Sequence, residues 1–242
     1  HTRFRNVTGV QTCALPICRD DTHEKMACGD PKARSYAALL DPELTATQPR
    51  SVAVATGLDA LAHALESAVC TKRNEISSLY SESAFRHLAA AIGRVIAGAP
   101  TLDDRGHMQL GAALAGLAIE NAMLGAAHAT ANPLTARFSA VHGHAVARML
   151  PHVMAFSSAD PAAAATYARF GGILSESGVS QLPLIDWVAS LVTQSALPAL
   201  TIAAADLPAL AADAAKQWTG TFNPRPLQPD DIVALYRRAF GI

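Results

Sequence analysis

Asp59, His63 and Glu66 stand in the run TGLDALAHALE (56–66), spaced four and then three residues apart. On a helix that spacing puts all three on one face. A carboxylate beside an imidazole is half of a metal site, and the other half must come from elsewhere in the chain. It is offered by LGAAHATANPLTARFSAVHGHAV (124–146), where three of the nine histidines interrupt an apolar, small-residue run. His128 and His142 lie fourteen residues apart there. Pro133 reads as a break between two helices, so that the end of one and the start of the next converge on one point. Three imidazoles plus one carboxylate suit Fe(II), Zn(II), Ni(II) or Co(II) better than Mg(II) or Ca(II), which prefer all-oxygen shells. The apolar flanks leave these four polar groups little else to satisfy them. His144 faces away from His142 on a helix and His152 falls off the same face, which makes both surface or supporting residues. At this level a second reading stays open: Thr56 as a helix N-cap with Asp59 at its third position, and His63 as a hydrogen-bonded core histidine.

The elements that must position these groups are helices. Apolar residues recur at three- and four-residue spacing, as in Leu79, Phe85, Leu88, Ile92, Val95 and Ile96, and alanine is abundant throughout. The pattern predicts helices over 51–69, 75–97, 104–127, 141–155, 161–174, 184–194, 203–218 and 229–240. Separators fall at Gly98-Ala99-Pro100, Asn132-Pro133, Gly178 and NPRPLQP (223–229). SYAALL (35–40), followed by Asp41-Pro42, is the one strand-like run. There is no internal repeat.

Composition narrows the class. The chain has 242 residues, half of them hydrophobic, which is enough for a sizeable core. Nineteen basic and twenty acidic residues give a net charge of −1, and aromatics make up 5%. That balance argues against nucleic acid or an acidic membrane surface as partner. The longest apolar runs, 108–119 and 196–205, are too short to span a bilayer. Four cysteines, with no CxxC partner for Cys28 or Cys70, make no disulfide framework and favour a reducing, cytoplasmic setting. VTGVQTCALPI (7–17) resembles the translation of a common short-read sequencing adapter, so residues 1–18 are expected to be foreign to the protein.

LLDPELTATQP, TGLDALAHALE, LAGLAIENAMLGAAHATANPL, VHGHAVARMLPHV and NPRPLQPDDIVALYRRAF occur in that order. Together they resemble the iron-containing, group III alcohol dehydrogenases. The resemblance implies a mainly α chain: the helical metal-binding domain (50–242) of a two-domain, dehydroquinate synthase-like architecture. Residues 19–49 are then a remnant of an N-terminal α/β cofactor domain, largely missing here, since no Gly-rich phosphate-binding loop precedes a helix. The implied activity is hydride transfer between NAD or NADP and a small-molecule alcohol or aldehyde, with the metal polarising the carbonyl oxygen. Asp59, His63, His128 and His142 fall on the family's four ligand positions, and Fe(II), Zn(II) or a similar divalent ion is the implied cofactor. Glu66 is expected to orient a ligand histidine. Asn132 stands where many members carry a substrate-side histidine; an amide donates a hydrogen bond but does not titrate near neutrality. A homodimer or larger assembly is implied for the full-length protein, and no dehydrogenase activity is expected of this chain alone. The alternatives are a glycerol dehydrogenase or dehydroquinate synthase-like relative, and a non-catalytic helical bundle with buried histidines.

Overall fold

In a computed structural model of the chain, residues 14–18, 25–29 and 36–242 are described. Two short strands, β1 (Ala14–Cys18) and β2 (Lys25–Gly29), form an antiparallel pair with Ala14 opposite Gly29. A 3-10 turn, Pro42–Thr45, then leads into nine α-helices among the described residues. These are α1 (Arg50–Val69), α2 (Glu75–Ala97), α3 (Leu102–Asn121), α4 (Ala126–Phe138) and α5 (His142–Ser157), followed by α6 (Pro161–Glu176), α7 (Leu184–Gln194), α8 (Leu207–Ala215) and α9 (Pro229–Phe240). Short 3-10 segments, Ala204–Asp206 and Trp218–Phe222, flank α8.

The strand expected over 35–40 is not there in its described part. Residues 37–40 are irregular, and Tyr36 and Leu39 are exposed. An extended segment with no neighbour to pair with leaves its backbone groups to water and gains nothing by being a strand.

α1 is the centre of the bundle and packs against α2, α3, α5 and α6. By length and composition it could cross a bilayer, but 72% of its most apolar stretch is buried inside the fold. Its alanines Ala60, Ala62, Ala64 and Ala68 are buried, and their small side chains let neighbouring helices approach closely. At the α2–α6–α7 seam the Phe85 and Phe170 rings stack at 4.7 Å and Trp187 meets Phe85 edge-on at 5.9 Å. Burying each phenyl ring stabilises the fold by about 1.5–3 kcal/mol.

The helix ends are set by local chemistry. Asn74 and Ser77 exchange side-chain and backbone hydrogen bonds at the start of α2, and Gly98 ends that helix in the left-handed region at φ 80°. Thr101 and Asp104 do the same for α3. The Asp104 carboxylate is 1% exposed and also accepts from Arg94, whose Nε lies 2.7 Å from Oδ1 and 2.8 Å from Oδ2. The Arg94 hydrogen bonds, with those from Thr101, hold the Asp104 carboxyl well below the usual carboxylate range against the opposing effect of burial.

Two helix boundaries differ from the sequence expectation. The helix expected to run from 104 to 127 ends at Asn121, and a new helix, α4, starts at Ala126 with its axis bent by 106°. Pro133 therefore sits inside α4 and does not break it. It forfeits the hydrogen bond to the Ala129 carbonyl, a cost of about 3 kcal/mol. Burial of Ala131, Pro133 and Leu134 offsets that cost, as does the tie from α9, where the Tyr236 hydroxyl donates to the Thr130 carbonyl at 2.6 Å. Thr56 is not an N-cap either: α1 begins six residues earlier, and the Thr56 hydroxyl donates back to the Val52 carbonyl.

Because the folded-state pKa of Asp104 is depressed, its contribution to stability is present above about pH 4, the unfolded aspartate value, and is lost as the pH falls below it. Urea unfolding of Asp104→Asn should show about 1–3 kcal/mol lower stability at pH 7, with the difference from the parent shrinking towards pH 3.

Candidate metal centre

Three helices bring the chemistry-bearing residues of the sequence together. Asp59 and His63 lie one turn apart in the middle of α1, His128 in the first turn of α4, and His142 at the first position of α5. One carboxylate oxygen, Asp59 Oδ1, faces three imidazole Nε2 atoms: His128 at 3.2 Å, His63 at 3.6 Å and His142 at 3.7 Å. Asp59, His128 and His142 each offer a ligand atom within 4.8 Å of the others. His63 and His128 stack with ring centroids 4.8 Å apart, and His142 lies tilted against His128 at 5.5 Å.

The route by which His128 and His142 meet differs from the expected one. They are not a helix end and a helix start joined across Pro133; both occupy first turns. Ser139, at φ 54°, ends α4 in the left-handed region, and residues 139–141 return the chain to the start of α5.

His128 is 3% exposed and depends on Glu66, 4% exposed, in the next turn of α1 after His63. One Glu66 oxygen accepts from His128 Nδ1, and the other accepts from the Ala127 amide at 2.7 Å. The Ala126 amide donates to Asn223 Oδ1 at 3.2 Å, and Asn223 is held in turn by Ser157 and by the Arg225 carbonyl. Gly125 supplies no cap of its own, so Asn223 and Glu66 satisfy the first two amides of α4, those of Ala126 and Ala127. The positive end of the helix also favours the Glu66 carboxylate at that spot.

Two glycines allow this closeness. A Cβ on Gly125 would stand 3.0 Å from both Asn223 Oδ1 and Glu66 Oε1, and one on Gly143 would stand 2.0 Å from the Ala55 carbonyl oxygen. Only glycine lets the first turn of α5 lie directly on the α1 backbone and present His142 beside Asp59. Gly125, Gly143 and Asn223 escape a search by residue chemistry. The faint signals for them are a glycine wedged between two histidines and an Asn-Pro pair far downstream.

Electrostatics follow the geometry. Burial would raise the Asp59 carboxyl, but His63, then His142, and the His128 hydrogen bond hold it well below the usual carboxylate range. Burial would lower the His128 imidazole, but the Glu66 charge and the hydrogen bonds to Asp59 and Glu66 push it up to about 9. Asn132, one turn beyond His128, donates from Nδ2 to Gln217 Oε1 at 2.9 Å, while its Oδ1 is buried without a hydrogen-bond partner. Among the described residues, His144 and His152 lie outside the ligand-atom group, and so does His63, which approaches Asp59 Oδ1 at 3.6 Å without coming within 4.8 Å of every ligand atom; His144 meets the backbone of Ser51 instead.

The donor set fits a divalent ion. Two ligand atoms about 2.1 Å from a tetrahedral centre stand about 3.4 Å apart, close to the 3.2, 3.6 and 3.7 Å separations from Asp59 Oδ1. The two nitrogens and one oxygen of Asp59, His128 and His142 suit Fe(II) or Zn(II), and Glu66 on the far nitrogen of His128 turns its Nε2 inward. Gly143→Ala should cost at least about 1–3 kcal/mol, because the new methyl meets backbone. Thermal unfolding should register that loss, with Gly172→Ala, where a Cβ meets nothing within 4 Å, as the harmless control.

Known proteins agree in sequence and in shape. The family model described as Fe-containing alcohol dehydrogenase family, C-terminal, matches residues 53–240. The chain is 39% identical over 137 residues to the 1-propanol dehydrogenase PduQ of Citrobacter freundii, covering 55% of this chain and 36% of that protein. It is 31% identical over 212 residues to the 1,3-propanediol dehydrogenase of Klebsiella pneumoniae, covering 84% and 54%. The solved alcohol dehydrogenase from Oenococcus oeni superposes with a TM-score of 0.83 at 27% identity, over 95% of this chain and 62% of that one. The chain thus spans about half the length of the curated relatives it matches, or less. With a helical bundle that brings ligand atoms of Asp59, His128 and His142 within 4.8 Å of one another and a family match over 53–240, the chain belongs to the iron-containing alcohol dehydrogenase family through its C-terminal helical domain.

Proposed function

We propose that residues 50–242 are the metal-holding half of an NAD(P)-linked alcohol dehydrogenase that interconverts a small alcohol and its aldehyde. Asp59, His63, His128 and His142 hold Fe(II), or Zn(II) in its place. A preceding α/β domain supplies the NAD or NADP site, the site of action is the cytoplasm, and the full-length enzyme works as a homodimer or larger. The observation that carries this reading is the single Asp59 oxygen faced by three imidazole Nε2 atoms from three helices. The named activities of the propanol and propanediol relatives support a small alcohol as substrate class.

A divalent ion in this place supplies Lewis acidity to a carbonyl or alkoxide oxygen while hydride passes between the substrate carbon and the nicotinamide. The protein's own part is positioning. Glu66 keeps a proton on His128 Nδ1 and so fixes which nitrogen faces Asp59. Buried Ala126, Ala127, Ala129 and Ala131 keep water from the first turns of α4, which strengthens every charge interaction nearby. Asn132, held by Gln217, orients a substrate oxygen through its amide and does not itself relay a proton.

Metal content of the purified chain tests the reading. Asp59→Ala and His142→Ala should each abolish stoichiometric Fe(II) or Zn(II) binding, and unchanged metal in both would overturn the assignment in favour of a bundle with merely buried histidines. Glu66→Gln keeps the shape but removes the charge behind His128, and titration should show metal affinity about 10–100-fold weaker.

A further inference from the structure

A second pair of imidazoles lies away from Asp59, on the seam between α2 and α3. His87 Nδ1 and His107 Nδ1 are 2.8 Å apart, with ring centroids at 5.0 Å and planes inclined by 41°. Behind the His107 ring, Asp103, one turn earlier on α3, places Oδ2 3.6 Å from Nε2. A carboxylate in that position favours the proton on Nε2 and leaves Nδ1 as a lone pair directed at His87. The order carboxylate, imidazole, inward nitrogen is that of Glu66 and His128 with the two ring nitrogens exchanged.

With no ion the pair shares a proton, His87 Nδ1–H donating to His107 Nδ1. A cation can take that place when the His87 proton moves to Nε2, and the separation bears on which coordination angle fits. Two nitrogens each about 2.05 Å from one centre stand about 2.9 Å apart at a right angle and about 3.3 Å apart at the tetrahedral angle. The observed 2.8 Å matches the right angle. We propose that His87 and His107 form a second metal site, distinct from the Asp59 cluster, that takes Cu(II) or Ni(II) in tetragonal coordination. Asp103 orients His107, and water fills the remaining positions. The His107 and Asp103 side chains are 34% and 87% exposed, so an ion reaches the pair from solvent without opening the fold. One ligand belongs to α2 and the other to α3, so the bound ion ties together two helices that already pack along their length.

Ni(II) titrated calorimetrically into the chelator-treated 242-residue chain should bind with two equivalents per chain. His87→Gln and His107→Gln, which keep a hydrogen-bonding group but not a good ligand, should each bind one. The Asp59→Ala/His142→Ala double variant should retain one equivalent, and its Cu(II) complex should give a tetragonal electron paramagnetic resonance spectrum with coupling to two imidazole nitrogens. Glutamine variants that bind as many equivalents as the parent, or an Asp59→Ala/His142→Ala chain that binds none, would overturn the site and leave a plain histidine–histidine hydrogen bond. Should either glutamine variant fail to fold, Asp103→Asn decides at an exposed position: Ni(II) affinity at the second site should fall about 10-fold, and unchanged affinity would overturn the proposal.

Discussion

The site rests on one buried carboxylate. Glu66 lies in the central helix of the bundle, and its two oxygens do different work: one closes the amide end of α4 and the other holds the back of His128. A carboxylate this deep is costly to desolvate unless every lone pair is used, and here hydrogen bonds to an amide and an imidazole, with the positive end of a helix, compensate for the lost water. The start of α4 and the orientation of the His128 ring therefore both depend on this side chain.

Around that anchor, small residues do the work that large ones do elsewhere. The alanine face of α1, Gly125 and Gly143 reduce the distance between backbones until side chains from three helices can converge. The C-terminal segment closes the arrangement from outside, with Asn223 on the Ala126 amide and the Tyr236 hydroxyl on the Thr130 carbonyl. Residues more than ninety positions downstream thus hold the turn that carries His128.

Much of this is legible in the sequence where local rules decide. The shared face of Asp59, His63 and Glu66 follows from helical spacing, and the helical class follows from alanine content and apolar periodicity. α4 is not legible, because Pro133 is a breaker by local rules and is tolerated only through packing that the local sequence does not display. The converse error occurs at 36–40, where strand-forming residues have no partner strand among the described residues. Glu66 itself is ambiguous in sequence: a glutamate on a helix is ordinarily solvated, and only the approach of α4 makes this one internal. Gly125, Gly143 and Asn223 matter through contacts between distant segments, so their roles come into view only with the fold.

Of the helices that meet at Asp59, α1 is far along the chain from α4 and α5: Asp59 and His128 are separated by 69 residues. Any ion gripped by both fastens a long loop, and loops of that length cost conformational entropy to close. In the proposed site the ion would therefore act as a removable cross-link that adds to the stability of the bundle. Starvation for metal would then remove the Lewis acid and, with it, one of the ties of α4 and α5 to α1.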